Sequence, residues 1–223
     1  MTYQHQYIDG SAFPHSLGKV VCVGRNYAEH ARELNNPVPS EPLLFIKPAT
    51  SVVPLSAPVQ LPKGRGAVHY ETEIALLIGS PLSGLVSPAD AVASIAGIGL
   101  ALDLTLRELQ DQLKSKGHPW ERAKAFDGAC PLSAFISPKE APALDNMPLQ
   151  LLINGELRQD GNSADMITPI IGLLQHIAGV FTLLPGDVVL TGTPSGVGVL
   201  QPGDQLELKL GNLLQANTCV AEV

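Results

Sequence analysis

The chain has 223 residues, 45% hydrophobic and 16% charged, which is enough to bury one sizeable core and ordinary for a single β-rich domain. A net charge of −7, from 14 basic and 21 acidic side chains without any run of Lys or Arg, argues against a nucleic-acid surface or a polybasic membrane patch. Cys22, Cys130 and Cys219 are odd in number, far apart and without a C-x-x-C pair, so they suggest neither a disulfide framework nor a thiolate zinc site and fit a reducing compartment.

The first residues, MTYQHQYIDGSAFPHS, have no basic segment followed by an apolar one, and no apolar run approaches the roughly 18 residues of a membrane span. A soluble, cytoplasmic protein is expected, with residues 1–18 as an N-terminal extension and 19–223 as one domain. KVVCVG predicts a strand over 19–24. NYAEHAREL predicts a helix that opens on Asn26, with Glu29 three residues on in a capping-box-like start. The Pro-rich NNPVPSEP at 35–42 then reads as a loop or hinge. Further strands are predicted over 42–48 and 72–79, and a helix in SPADAVASIAG, where Pro follows Ser. TLRELQDQLKSKG ends in lysines and a glycine, the expected chemistry of a helix C-terminus. A strand over 149–156 precedes a fourth helical pattern, DMITPIIGLLQHIAG, with Pro169 inside about its first turn. Strands over 187–192 and 204–211 both follow a Pro-Gly-Asp turn, in keeping with a C-terminal β meander. Strands outnumber helices without strict βα alternation, so the expected class is α+β with a β-rich core.

In VHYETEIALLIG, Glu71 and Glu73 share the parity of Ala75 and Leu77, so as a strand both carboxylates point to the face that becomes apolar. One reading is an edge strand whose inward charges guard against aggregation. Another is a cation between them, because shielded carboxylates side by side repel. Asp103 ends a long small-and-apolar run, where it is either an N-cap for the next helix or a third ligand. Three convergent carboxylates would select a hard divalent ion, Mg²⁺ first and Mn²⁺ or Ca²⁺ next. Arg107 and Gln110 follow four and seven residues after Asp103, near one helical face, over the same mouth or as a solvated face with an Asp to Arg pair.

His30 and Glu33, three apart on a helix, can meet, and a carboxylate beside an imidazole fixes its tautomer and raises its basicity. The pair is either a water-activating dyad or a chance pair on an exposed face. Lys124, between alanines in ERAKAF, is either a substrate-orienting cation or a surface lysine. LTGTPSGVG at 190–198 has three glycines that suggest close backbone approach and offers Thr193, but it matches no phosphate-loop pattern, so nucleotide binding is not expected.

The joint order of GRNYAEHAREL, FIKP, HYETEIALLIG, DLTLRELQ, KAFDGACP and PGDVVLTGTPSGVG resembles the fumarylacetoacetate hydrolase family from about Lys19 to the C-terminus. It is most similar to the short, single-domain acylpyruvases and oxaloacetate decarboxylases. The resemblance implies a mixed β-sandwich roll with a short lid helix, usually dimeric. It implies Mg²⁺ or Mn²⁺ ligands at Glu71, Glu73 and Asp103, a lid dyad at His30 and Glu33, and a lysine near substrate at Lys124. Gln110 and Thr193 would be polar lining, with Arg25, Lys47 and Arg107 as further substrate-binding candidates. Glu108 stands where many members have Asp, a departure that touches no ligand. The expected activity is metal-dependent hydrolysis of the C–C bond of an acylpyruvate to pyruvate and a carboxylic acid, with oxaloacetate decarboxylation as an accompanying reaction. The alternatives are a hydratase or isomerase/decarboxylase of 2-oxo-alkenedioates and, from another class, a divalent-cation-binding protein without turnover.

Overall fold

The computed structural model describes residues 3–141 and 143–222; positions 1, 2, 142 and 223, which belong to the expected extension and domain, lie outside the described residues. The first half of the chain forms β1 (Lys19–Gly24), α1 (Ala28–Glu33), β2 (Leu43–Pro48), β3 (Val52–Pro54), β4 (Val68–Tyr70), β5 (Thr72–Ile78), α2 (Pro88–Ala93) and β6 (Ile95–Leu102). There follow β7 (Thr105–Leu106), α3 (Arg107–Ser115), α4 (Glu121–Lys124), β8 (Cys130–Leu132), β9 (Pro148–Ile153) and β10 (Glu156–Asn162). The C-terminal part adds α5 (Ile170–Val180), β11 (Val188–Leu190), β12 (Gly198–Val199), β13 (Gln205–Leu210) and β14 (Leu214–Cys219). The class is α+β, rich in strands, with a curled mixed sheet.

Seven strands form the main sheet in the order β2-β1-β11-β5-β6-β8-β3. Smaller sheets follow the orders β10-β9-β13-β14 and β12-β4-β7. β5 therefore lies between β11 and β6, fully buried, and the edge-strand reading of its glutamates does not hold. Its alternating residues feed two cores. Ile74, Leu76 and Ile78 join the larger one, whereas Ala75 and Leu77 join the smaller one with Val20, Cys22, Ala101 and Leu190. Glu73 shares the parity of the second set. The smaller core also takes Phe13 and Leu17 from the N-terminal segment, which His5 Nε2 ties to the Gly186 carbonyl at 2.8 Å.

Four local expectations are corrected. The first helix starts at Ala28 with Tyr27 as its N-cap and no side-chain cap; Asn26 turns inward, donating to the Thr168 and Thr191 carbonyls and accepting from Thr168 N–H, while Glu29 pairs with Arg32. A buried amide with three backbone partners at hand outcompetes a cap on a helix of six residues. Asp103 is no N-cap, since α3 begins at Arg107 after Leu106. The two Pro-Gly-Asp turns do not build one meander, because β11 belongs to the main sheet and β13 to the four-stranded one. Pro169 is the N-cap of α5 rather than a residue inside it. No helix among the described residues is long and apolar enough to cross a membrane.

Candidate active site

Strand register assembles the acids. β5 pairs with β6 through Thr72 opposite Leu102 and Glu73 opposite Ala101, and one step further Asp103 N–H donates to the Glu71 carbonyl at 2.8 Å. Glu71, Glu73 and Asp103 are all buried, and each offers an oxygen within 4.8 Å of the others. Two peptide segments thus hold three carboxylates at one end of the smaller core.

Buried lysines and an arginine answer most of this charge. Lys124 Nζ donates to Glu71 Oε2 and Asp103 Oδ2, both at 2.7 Å, and is 3% exposed, so it does not run along the surface. Arg107 Nη2 bonds Glu71 Oε1 and its Nη1 donates to Gln110 Oε1 at 2.8 Å; its carboxylate partner is Glu71, not Asp103. Burial opposes ionisation of Glu71, but Lys124 and Arg107 outweigh it and hold the carboxyl well below the usual carboxylate range. Burial likewise opposes the Lys124 ammonium, and Asp103 and Glu71 keep it above the ordinary lysine value.

Glu73 is different. Burial, then Asp103 and Glu71, push its carboxyl well above the ordinary range, and its hydrogen bond comes from Gly192 N–H at 2.6 Å. Asp103 Oδ1 is buried without a hydrogen bond, although Lys47 Nζ lies 2.8 Å away. An all-oxygen set in which one acid lacks a cationic partner among the described residues, and another has an unbonded oxygen, fits a hard divalent ion.

A cavity of about 30 Å³ lies over this wall, lined by Arg25, His30, Glu71, Glu73, Arg107, Gln110, Lys124 and Thr193 among others. Of the residues singled out in the sequence, three stand behind the lining. Glu33 accepts Gly196 N–H at 3.0 Å through Oε1 and meets His30 Nδ1 at 3.3 Å through Oε2. Asp103 sits below Lys124. Lys47, fully buried, bonds the Lys124 carbonyl, donates to the Ala129 carbonyl at 3.1 Å and pairs with Asp103, so it braces the wall and does not reach the cavity.

His30 is buried, and that burial lowers its pKa from the ordinary 6.5 against the opposing pull of Glu71 and Glu33. The neutral imidazole is therefore favoured. With Nδ1 facing Glu33, Nε2 is the free nitrogen. The glycine-rich loop explains its composition here. Gly192 (φ +94°) gives its N–H to Glu73, and a Cβ there would lie 2.7 Å from that of Asn26. Gly196 (φ +95°) gives its N–H to Glu33, and a Cβ would lie 2.0 Å from the Arg158 carbonyl oxygen. Thr193 Oγ1 accepts from Gln159 Nε2 at 2.8 Å, and Gln159 Oε1 in turn accepts Thr72 N–H.

Sequence reasoning missed Asn36, Lys114 and Trp120, which also line the cavity, and Gln159, which braces it. Lys114 had a signal: it lies four residues after Gln110 and seven after Arg107, on the same helical face. Trp120, the single tryptophan, packs on Phe45 with ring centroids 6.1 Å apart, a pairing that only the fold brings about.

Comparison with known proteins places this arrangement in context. A family profile described as fumarylacetoacetate hydrolase C-terminal matches residues 19–221. The oxaloacetate tautomerase YcgM of Escherichia coli is 50% identical over 205 residues, covering 92% of this chain and 93% of that protein. The mitochondrial oxaloacetate tautomerase FAHD1 of Bos taurus is 43% identical over 195 residues, covering 87% and 88%. Among solved structures, a fumarylacetoacetate hydrolase family protein from Yersinia pestis CO92 superposes with a TM-score of 0.95 at 50% identity, covering 98% of this chain and 100% of that one. Fumarylpyruvate hydrolase from Pseudomonas aeruginosa, in complex with Mn²⁺ and pyruvate, superposes with a TM-score of 0.92 at 30% identity, covering 100% and 97%.

Proposed function

The chain belongs to the fumarylacetoacetate hydrolase family, and from that premise we propose that it is an enzyme interconverting the enol and keto forms of oxaloacetate. The observation that carries this reading is a buried, neutral His30 over the same small cavity as a lysine-braced carboxylate wall. Relatives at 50% and 43% identity named oxaloacetate tautomerase support it.

Glu71, Glu73 and Asp103 would hold the divalent ion, Mg²⁺ by their hard oxygen chemistry, with Mn²⁺ or Ca²⁺ as substitutes. Bound there, the ion would supply positive charge to the oxygen of an enolate. The chain's own groups do the rest. Arg107, Gln110 and Thr193 orient the oxo-acid end, and the Lys124 ammonium faces the charge that develops on O2. His30 Nε2 takes a proton from C3 of the keto form and passes it to O2 of the resulting enolate to give the enol, reversibly, while Glu33 keeps the imidazole in one tautomer. The segment 26–42, which carries His30 over the cavity, acts as a lid that orders when substrate binds.

Acylpyruvate hydrolysis is the second reading, favoured by the similarity to the fumarylpyruvate hydrolase and by the His30 and Glu33 pair, which suits water activation as well as proton transfer. Oxaloacetate decarboxylation needs the same enolate stabilisation without attacking water. A 2-oxo-alkenedioate hydratase or isomerase needs it too. We read residues 19–223 as the catalytic domain of a cytoplasmic homodimer; the free cysteines Cys22 and Cys130, both buried, support a reducing compartment. The test is the purified protein with Mg²⁺, assayed for loss of enol absorbance with oxaloacetate and for products from acetylpyruvate, fumarylpyruvate and a 2-oxo-alkenedioate. Tautomerisation should have the highest kcat/KM. Faster release of pyruvate from an acylpyruvate would transfer the assignment to hydrolysis.

A further inference from the structure

The two Pro-Gly-Asp turns hold different things. At 202–204, Asp204 accepts from Gln201 N–H at 2.8 Å and from Asn154 Nδ2 at 2.9 Å. The turn at 185–187 receives the N-terminal segment instead. Its Asp187 carboxylate accepts Lys19 N–H at 3.0 Å and Leu184 N–H at 2.9 Å, and bonds the Lys19 ammonium. The fit is tight: a Cβ on Gly186 (φ +94°) would lie 2.2 Å from the Ser16 carbonyl oxygen, and one on Gly18 would lie 2.5 Å from Asp187 Oδ1. The Gly186 carbonyl accepts from His5 Nε2 at 2.8 Å. His5 is fully buried among aromatic rings, with the centroids of Tyr3, Phe135 and Phe13 at 5.2, 5.6 and 6.2 Å. Because Nε2 donates to a carbonyl, Nδ1 carries the lone pair of the neutral ring, and it is buried without a hydrogen bond. A proton on Nδ1 would bury a charge and aim an N–H at no acceptor.

We propose that His5 and the turn at 185–187 form an acid-released latch: with the imidazole neutral the segment 3–17 is fastened over the smaller core, and with it protonated the segment lifts away. Phe13 and Leu17 would leave that core with it. The same core packs Ala75 and Ala101, on the strands that carry Glu73 and lead to Asp103, which ties the latch to the floor of the site. The groups around His5 do not rescue the charge. From the turn comes Asp187, whose oxygens are taken by Lys19 and Leu184. From its own segment come Tyr3, with Tyr7 and His15 sharing the Phe13 ring, and from β8 comes Cys130 beside Tyr3. Burial keeps both tyrosines and the Cys130 thiol protonated and uncharged. Burial also lowers the His5 pKa from 6.5, against the pull of the Gly186 carbonyl and Asp187. The fastened state therefore has its full advantage above pH 6.5 and loses it as pH falls below.

The test is hydrogen exchange of residues 3–17 in the full chain at pH 7.5 and 5.5, corrected for the intrinsic pH dependence of exchange and referred to α5. In wild type the opening equilibrium should rise by about threefold to tenfold on acidification, the linkage of one histidine that titrates only when released. His5→Gln offers an amide Nε2 to the Gly186 carbonyl and does not titrate. It should match wild-type protection at pH 7.5 and change by less than about threefold at pH 5.5. His15→Gln, which alters the exposed histidine of the same segment, should respond as wild type does. A smaller change in wild type, an undiminished response in His5→Gln, or a response lost in His15→Gln would overturn the latch. If His5→Gln is already unprotected at pH 7.5, the wild-type His5 imidazole signal, followed by NMR, decides. Its titration should coincide with the loss of protection, and separate midpoints would overturn the proposal.

Discussion

The carboxylate wall and the lid differ in how many bonds hold each charge. In the wall, Lys124 spans two carboxylates, Lys47 ties Asp103 to the carbonyls of Lys124 and Ala129, and Arg107 links Glu71 to Gln110. On the lid, α1 has six residues; Glu33 accepts one Gly196 N–H and faces His30 Nδ1, and Glu29 and Arg32 pair with each other in solvent. The wall is therefore preorganised, with its dipoles and charges set before substrate arrives. The α1 segment meets the rest of the protein through fewer charged contacts than the wall has. The densely bonded charges sit in the wall, and the sparsely bonded ones on the helix that carries His30.

The difference can be broken from the wall side first. Glu73→Gln should abolish turnover and lower Mg²⁺ affinity by more than about 100-fold, beyond the 10 to 100-fold typical of residues behind a metal ligand. Calorimetry showing wild-type affinity would remove Glu73 from the ligand set. Lys47→Met should leave Asp103 short of a buried partner and cost about 3–5 kcal/mol in urea unfolding. A loss under about 1 kcal/mol would mean that Lys124 alone suffices for Asp103.

On the lid side, His30→Ala should reduce kcat/KM by about 10² to 10⁴-fold while Mg²⁺ affinity and unfolding stay at wild-type levels, since the wall is untouched. Because the base must be neutral and burial depresses its pKa, wild-type kcat/KM should fall with acid only below pH 6.5, the ordinary histidine value. An inflection above it would assign that limb to another group. Glu33→Gln has the smallest expected effect, about tenfold in kcat/KM, because the imidazole stays in place while its tautomer is less well held. The same variant should raise hydrogen exchange across residues 28–33. Exchange identical to wild type would show that packing, not the Gly196 contact, holds the lid down.

The residue types that can bind a hard cation and carry a proton were legible in local patterns: alternate glutamates on an apolar strand, an acid ending an apolar run, a histidine and a glutamate one helical turn apart. So were the α+β class and six strands, because period-2 alternation and Gly/Pro punctuation are local signals. The family resemblance, borne out by the profile over residues 19–221, came from the order of these motifs along the chain. Partner choice was not legible. Which face of β5 was which could be read, but not that β5 is central, since that depends on β11 arriving from more than 100 residues away. Asn26 left its cap for carbonyls 142 and 165 residues distant, Lys47 went beneath the wall, and two glycines of LTGTPSGVG, Gly192 and Gly196, proved to be donors to Glu73 and Glu33. A sequence determines which side chains can bear charge and at what local spacing. The energy of a buried charge depends on what surrounds it in three dimensions, so only the tertiary structure decided which of these groups are paired and which one, Glu73, has no cationic partner among the described residues.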